Sequence, residues 1–334
     1  MTTLLELKEK VVRFYGKNES YLNPILKFLL AFAIFSTINK NIGYMRMISS
    51  TSISLILALL CSVFPKNITI FLASLVVLAD LYALSLEVCI VALLLFVIIY
   101  FIYFRFAPKN GYEVLLVPLC FKLNIPYVMP LGQGLLRELY SVFSLLCGTV
   151  IYFFLHGVRE NAAVLGRSAE ETEGATSKIV VAINQLIGNK EMYLVLAILL
   201  VTVIIVYIIR RMSIENAWSI AIISGTLFQT IGLIAGYMLL GISGKTMGVL
   251  VGNLISCIIA FVLQFLFFNL DYSRTERLQF EDDEYYYYVK AVPKAYVSGA
   301  NKQVKRFSGR DDSVGRLTKE QFAKEMEIDE DLLD

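Results

Sequence analysis

The chain has 334 residues, of which 57% are hydrophobic and 17% charged. Soluble globular domains carry about 25% charged residues and ~45–50% apolar ones. The charges are also unevenly placed: residues 271–334 hold 11 Lys/Arg and 15 Asp/Glu, whereas the first 270 residues hold only 19 and 13. This excludes a soluble enzyme of ordinary composition, a disordered chain and a disulfide scaffold. It predicts an all-α polytopic membrane protein with about 6–8 transmembrane helices and a short polar tail.

In chain order, residues 1–21 read as an amphipathic segment and not as a signal peptide, because no small-residue cleavage site follows the first apolar run. Leu4, Leu5, Val11, Val12 and Tyr15 fall on one helical face, with Lys8, Lys10, Arg13 and Lys17 largely off it. The reading is a helix in the membrane interface, with a soluble cap on the bundle as the alternative.

A membrane domain is expected over 22–270. A span takes about 20 mostly apolar residues. Residues 22–38, 86–106, 137–157, 191–210, 216–241 and 246–270 meet that condition. Runs 47–64 and 67–83 are shorter, and either cross as a pair or dip in and return. The run 111–135 is apolar but is interrupted by Pro118, Pro126 and Pro130, with Lys122 and Asn124 between two arms. It predicts a re-entrant hairpin facing a cavity, or an amphipathic hairpin lying in the interface. The segment 158–190 is read as outside.

Two stretches look alike. Phe64-Pro-Lys-Asn67-Ile68 leads to Asp80-Leu81-Tyr82, and Phe121-Lys-Leu-Asn124-Ile125 leads to Glu138-Leu139-Tyr140. Units 47–106 and 111–157 then suggest the inverted repeat of secondary transporters, with chance similarity in apolar sequence as the competing account.

An ionisable residue in a span costs about 2.5–3.5 kcal/mol on insertion scales and marks function by default. Asp80, Glu87, Glu113, Lys122, Arg137 and Glu138 qualify. The candidate solute or ion path is Asp80, Glu113, Lys122, Asn124, Gln133 and Glu138, with Asp80 and Lys122 placed to pair. Interface anchoring or ion pairing is the plain alternative for each. Gly232 and Gly236, and Gly248 and Gly252, form two GxxxG motifs expected to pack the last two spans together. Gln229, Asn253 and Gln264 would bond between helices or line a path.

The basic N-terminal segment, Arg105 with Lys109, Arg210 with Arg211, and the tail fall on one side if the number of crossings is even. The positive-inside rule then places both termini in the cytoplasm, with Lys40 and Arg46 as exceptions.

Several chemistries are excluded. His156 is the single histidine, which rules out HExxH, and neither GxxxxGK[ST] nor GxSxG occurs. The cysteines (Cys61, Cys89, Cys120, Cys147 and Cys257) lie in apolar runs without zinc spacing. No metal, cofactor or enzymatic activity is expected, and no clustered basic face invites nucleic acid.

In the tail 271–334, Leu278–Phe280 and Tyr285–Val292 read as a β-hairpin turning through Glu281–Glu284. A lone hairpin is marginal in water, so Tyr285, Tyr286, Tyr287 and Tyr288 are candidate contacts for a partner protein. Thr318 and Gln321 form a capping box that starts a short helix over 319–326. The bilayer, a protein at the tail and a second copy of the chain are the expected partners.

The run from Asp271-Tyr-Ser-Arg-Thr-Glu276 through Glu281-Asp-Asp-Glu-Tyr-Tyr-Tyr-Tyr-Val-Lys-Ala-Val-Pro-Lys294 resembles the signature of a family of bacterial polytopic inner-membrane proteins with no assigned activity. The similarity extends to Arg105-Phe-Ala-Pro-Lys109 and Asn161-Ala-Ala163. The resemblance implies the bacterial inner membrane and no mechanism. Two function classes follow: a small-solute or ion transporter built on hairpin-plus-span repeats, or a scaffold or assembly subunit recruiting a partner through its tail. Hairpins from opposite faces whose tips meet at a polar cavity favour the first.

Overall fold

The computed structural model describes residues 2–108, 110–166, 175–212, 214–242, 244–268, 276–281 and 285–291. These form α1 (Thr2–Lys17), α2 (Glu19–Asn41), α3 (Thr51–Val63), α4 (Lys66–Leu84), α5 (Leu86–Phe106), α6 (Gly111–Lys122) and α7 (Val128–Leu136). A 3₁₀ turn at Leu139–Ser141 precedes α8 (Val142–Glu160), α9 (Ala162–Leu165), α10 (Ala175–Ile187), α11 (Lys190–Arg211), α12 (Ala217–Leu239) and α13 (Thr246–Phe267). Strands β1 (Glu276–Glu281) and β2 (Tyr286–Ala291) follow.

Among the described residues, seven stretches are long and apolar enough to cross a membrane: α2, α4, α5, α8 with its preceding turn, α11 with most of α10, α12 and α13. The chain is an all-α, multi-pass membrane protein. α3 falls short. Ser50 caps its start by accepting from the Ile53 amide, and Phe64-Pro65 ends it. Thirteen residues at about 1.5 Å each cover ~20 Å of a hydrocarbon core ~30 Å thick.

Contacts at helix ends order these helices between two faces. The proximal face carries α1, whose Lys8 Nζ donates to the Phe268 carbonyl at 2.8 Å, just past α13. α2 runs to the distal face, where Asn41 accepts from Arg159 of α8 at 3.2 Å. α3 runs back, and Ser62 donates to the Pro24 carbonyl at 2.9 Å. α4 starts proximally, with Asn67 accepting from Tyr103 at 3.1 Å, and ends distally, with Asp80 accepting from the Met45 amide at 3.0 Å. α5 returns, and Phe106 stacks on Phe143 at the proximal start of α8 (4.4 Å). α11 leaves the distal face, where Glu191 pairs with Lys245 at 2.6 Å, and ends with Arg210 donating to the Arg137 carbonyl at 2.8 Å. α12 and α13 complete the order, joined proximally by Gln264 donating to Ser219 at 2.9 Å. α1 and the end of α13 share a face.

Among lipid tails, close packing and hydrogen bonds associate helices in place of the hydrophobic effect. One core joins α4, α5, α6 and α8 through Leu81, Phe96, Tyr103, Val114 and Phe154. A second joins α6 and α8 to α11 and α12 through Val117, Leu145, Leu199, Val203 and Leu233. The segment read only as outside contains an unforeseen helix, α10, which packs on α5 and α8.

The expected β-hairpin is present. β1 pairs antiparallel with β2 in the register Glu276↔Ala291, Gln279↔Tyr288 and Glu281↔Tyr286, beginning two residues before the expected first strand. The helix expected at 319–326 lies outside the described residues.

Candidate functional site

The run that cannot cross forms a buried hairpin. α6 ends because Asn124 takes the left-handed backbone conformation (φ 59°), which asparagine tolerates, and because Ile125 precedes Pro126 and is disfavoured from helix. The Ile125 amide donates back to the Cys120 carbonyl at 2.9 Å and satisfies one end group of α6. α7 then starts at Val128. Its Pro130 falls in the first turn, where a missing amide proton breaks no helical bond. Met129, Leu131, Gln133, Gly134 and Leu135 are buried, and α7 packs against α11, α13 and α12. The α7 arm is thereby enclosed by neighbouring helices.

The feet of the hairpin are tied together. Glu113, at the start of α6, pairs with Arg137 just after α7 at 2.9 Å and accepts from Gln133 Nε2 at 3.0 Å. Arg210 also donates to the carbonyls of Leu135 and Arg137, placing a cation at the negative end of the α7 dipole. At the tip, a Cβ on Gly252 of α13 would fall 2.7 Å from both the Asn124 carbonyl and the Tyr127 ring. Phe121 stacks on Tyr152 of α8 at 4.3 Å.

A cavity of about 260 Å³ lies between this tip and the distal ends of α2 and α8. Asn41, Lys122, Asn124, His156 and Arg159 supply its polar lining. His156 stacks on Tyr152 (5.6 Å) and sits 3.2 Å from Glu160. Among the described residues, Lys122 has no recorded hydrogen bond or ion pair and is exposed. In the loop after α2, burial pushes the Tyr44 phenol up, the Arg159 charge lowers it and Asp80 raises it. A second, apolar chamber of about 80 Å³ lies deeper, between α2, α4, α5, α6 and α8.

The six expected path residues separate into four places. Lys122 and Asn124 meet at the cavity, whereas Glu113 and Gln133 meet at the hairpin feet. Asp80 is fully buried, but it faces the loop before α3 through Met45 and does not pair with Lys122, so that expectation is corrected. Glu138 is exposed on the proximal face, outside the cavity. Glu87 accepts from Ser85 beside it. Asn41 and Arg159 carried no flag in the sequence, and His156 was read only as interfacial. The available signal was spacing: His156 and Arg159 are three apart and share a helix face.

The glycine motifs also pack differently from expectation. The nearest atoms to Gly232 and Gly236 of α12 belong to Ile198 and Leu194 of α11, and nothing approaches within 4 Å of Gly248. Of the two α13 glycines only Gly252 admits close approach, and its partner is the hairpin tip in place of α12. The five cysteines are free. Tyr285, Tyr286 and Tyr287 are exposed; Tyr288 stands opposite Gln279 in the strand register. Among the described residues, no cluster of three or more His, Cys, Asp or Glu forms a metal-binding group.

Comparison of the chain with protein-family models, with curated proteins and with solved structures finds no match.

Proposed function

We propose that the chain is a small-solute or ion transporter of the bacterial inner membrane, with the α6–α7 hairpin as the floor of its binding cavity. The observation that carries the proposal is the broken hairpin enclosed by spans, with its tip on a polar cavity at the distal face. Irregular backbone at membrane depth is tolerated where protein or a water-filled cavity satisfies it, which is how transporters build midplane sites. Arg105, Arg210, Arg211 and the cationic α1 share the proximal face, so the positive-inside rule makes that face cytoplasmic. The cavity then opens outward.

The two hairpins support an inverted repeat in part. α3–α4 turns at the proximal face and α6–α7 enters from it, so the two come from opposite faces. Their tips do not meet. The α3–α4 turn lies near Pro24 and Tyr103, leaving one hairpin tip to form the site. Lys122 and Arg159 favour an anion there.

Proteoliposomes holding the full chain, loaded with radiolabelled inorganic phosphate or chloride, test the reading. Flux that falls with Lys122→Ala is the expected result; flux equal to empty vesicles overturns it. A scaffold role is the second reading, favoured by the three exposed tyrosines of the β-hairpin. Deletion after Leu270 separates the two, because a transporter keeps its flux and a scaffold loses its co-purifying partner.

A further inference from the structure

The distal cavity has a neighbour at the hairpin tip. Thr37, Ile38, Pro118 and Leu155 line both it and the apolar chamber, so the two spaces adjoin across a shared wall. The chamber wall is hydrocarbon, contributed by residues such as Ile34, Ala73, Phe96 and Leu119. Its hydroxyl groups are already engaged. Ser74 and Tyr100 bond each other at 2.7 Å, Thr37 donates to the Ala33 carbonyl at 2.7 Å, and Tyr103 donates to the Pro108 carbonyl at 2.8 Å. A ligand in the chamber therefore finds few polar partners.

The other end has the opposite character. Lys122 and Arg159 bring two cations to the mouth, with Asn41 and Asn124 beside them. Glu160, the acid beside this rim, lies against His156 at 3.2 Å. A soluble anion would satisfy the mouth and leave the chamber without an occupant. A neutral lipid would fill the chamber and leave the two cations of the mouth without a counter-charge. One ligand satisfies both ends: an amphiphile with an anionic head and a hydrocarbon tail.

We infer that the two adjoining spaces hold a lipid phosphate, with its headgroup between Lys122 and Arg159 and only the first few carbons of its chain against the apolar chamber, the rest running out along the bundle surface. This inference rests on the proposed reading of the cavity as a substrate site, and it names the substrate class. Cation-to-phosphate hydrogen bonds are the strong, charge-assisted kind, so the head supplies selectivity. The chain supplies area without selectivity.

The test is native mass spectrometry of the full chain in detergent, titrated with phosphatidic acid, phosphatidylcholine or inorganic phosphate. Wild type should retain phosphatidic acid about tenfold more strongly than phosphatidylcholine. Lys122→Gln with Arg159→Gln should remove that preference, and Leu119→Trp, which fills the chamber, should lower retention of both lipids. Thermal unfolding in the same detergent checks that each variant is folded, and the exposed Lys122→Gln alone, expected to halve the preference or more, serves if the double variant is not. Equal retention of the two lipids overturns the inference. So does a preference untouched by Lys122→Gln, and so does binding of inorganic phosphate without retention of phosphatidic acid. The flux assay separates the two claims: lipid retained without flux of phosphate or chloride upholds the lipid site and sinks transport of a soluble anion. Flux without lipid retention does the reverse.

Discussion

Glu113 and Arg137 meet at 2.9 Å across the two feet of the α6–α7 hairpin. The pair closes the hairpin at its two feet. The partners are unequal: the Glu113 side chain is 9% exposed and that of Arg137 54%. Glu113 also accepts from the buried Gln133 amide, so its carboxylate organises two partners.

That asymmetry predicts unequal costs. Glu113→Ala leaves Gln133 unsatisfied in the interior and should destabilise the protein by about 1–3 kcal/mol. Arg137→Ala removes a half-exposed partner and should cost about 0–1 kcal/mol. Thermal unfolding in detergent reads both, at roughly 2–4 °C per kcal/mol for a chain of this size or somewhat smaller. Equal shifts would contradict the arrangement.

The two glycines of α13 should respond oppositely. Gly252→Ala drives a methyl into the Asn124 carbonyl and the Tyr127 ring and should cost about 1–3 kcal/mol. Gly248→Ala meets open space and should be neutral, or stabilising by up to about 1 kcal/mol through helix propensity. Melting of the two variants in parallel checks this, and a GxxxG face that packed α13 against α12 would make both harmful.

Lys8 anchors α1 to the C-terminal end of α13. Its amine bonds the carbonyls of Phe265 and Phe268 and lies 5.3 Å from the Phe265 ring centre. Burial lowers its pKa from the usual lysine range. Lys8→Met should retain the packing and lose the charge, costing about 0.3–2 kcal/mol. Limited proteolysis should then cut near Asn18 faster than in wild type; an unchanged rate would count against this anchor.

Asp80 is predicted to hold the loop before α3 independently of the cavity. Asp80→Asn keeps an acceptor for the Met45 amide, whereas Asp80→Leu strands it and should cost about 1–3 kcal/mol. Hydrogen exchange at Met45 should accelerate only in the leucine variant. A cycle combining Asp80→Asn with Lys122→Gln should be additive within about 0.5 kcal/mol, because the two residues share no contact. Strong coupling would restore the ion pair that the sequence suggested.

The spans were legible because length and apolarity are properties of one helix at a time. Asn124 and Pro126 likewise announced the break in 111–135, since each acts on its own backbone, whereas Pro118, expected to interrupt the run, lies inside the unbroken α6. The aromatic and β-branched tail segment announced its β-hairpin for the same local reason. Lateral neighbours were not legible. Asp80 and Lys122 looked like a pair, yet sequence periodicity does not say which helix a face meets. Arg159 and Asn41 are 118 residues apart and become cavity neighbours only through the helix order. Gly252 looked like a helix-packing residue, and its partner is a broken backbone that the motif does not specify.

The proposed α6–α7 hairpin enters and leaves through one face and presents its tip to the other. Single cysteines at Pro108, Glu138 and Lys122, in a background with all five native cysteines replaced, test it with a membrane-impermeant maleimide applied to oriented vesicles. Positions 108 and 138 are predicted to label from the face that carries the end of α13, and position 122 only from the opposite face. Labelling of 108 and 138 from opposite faces would make 111–135 a crossing and would contradict the account.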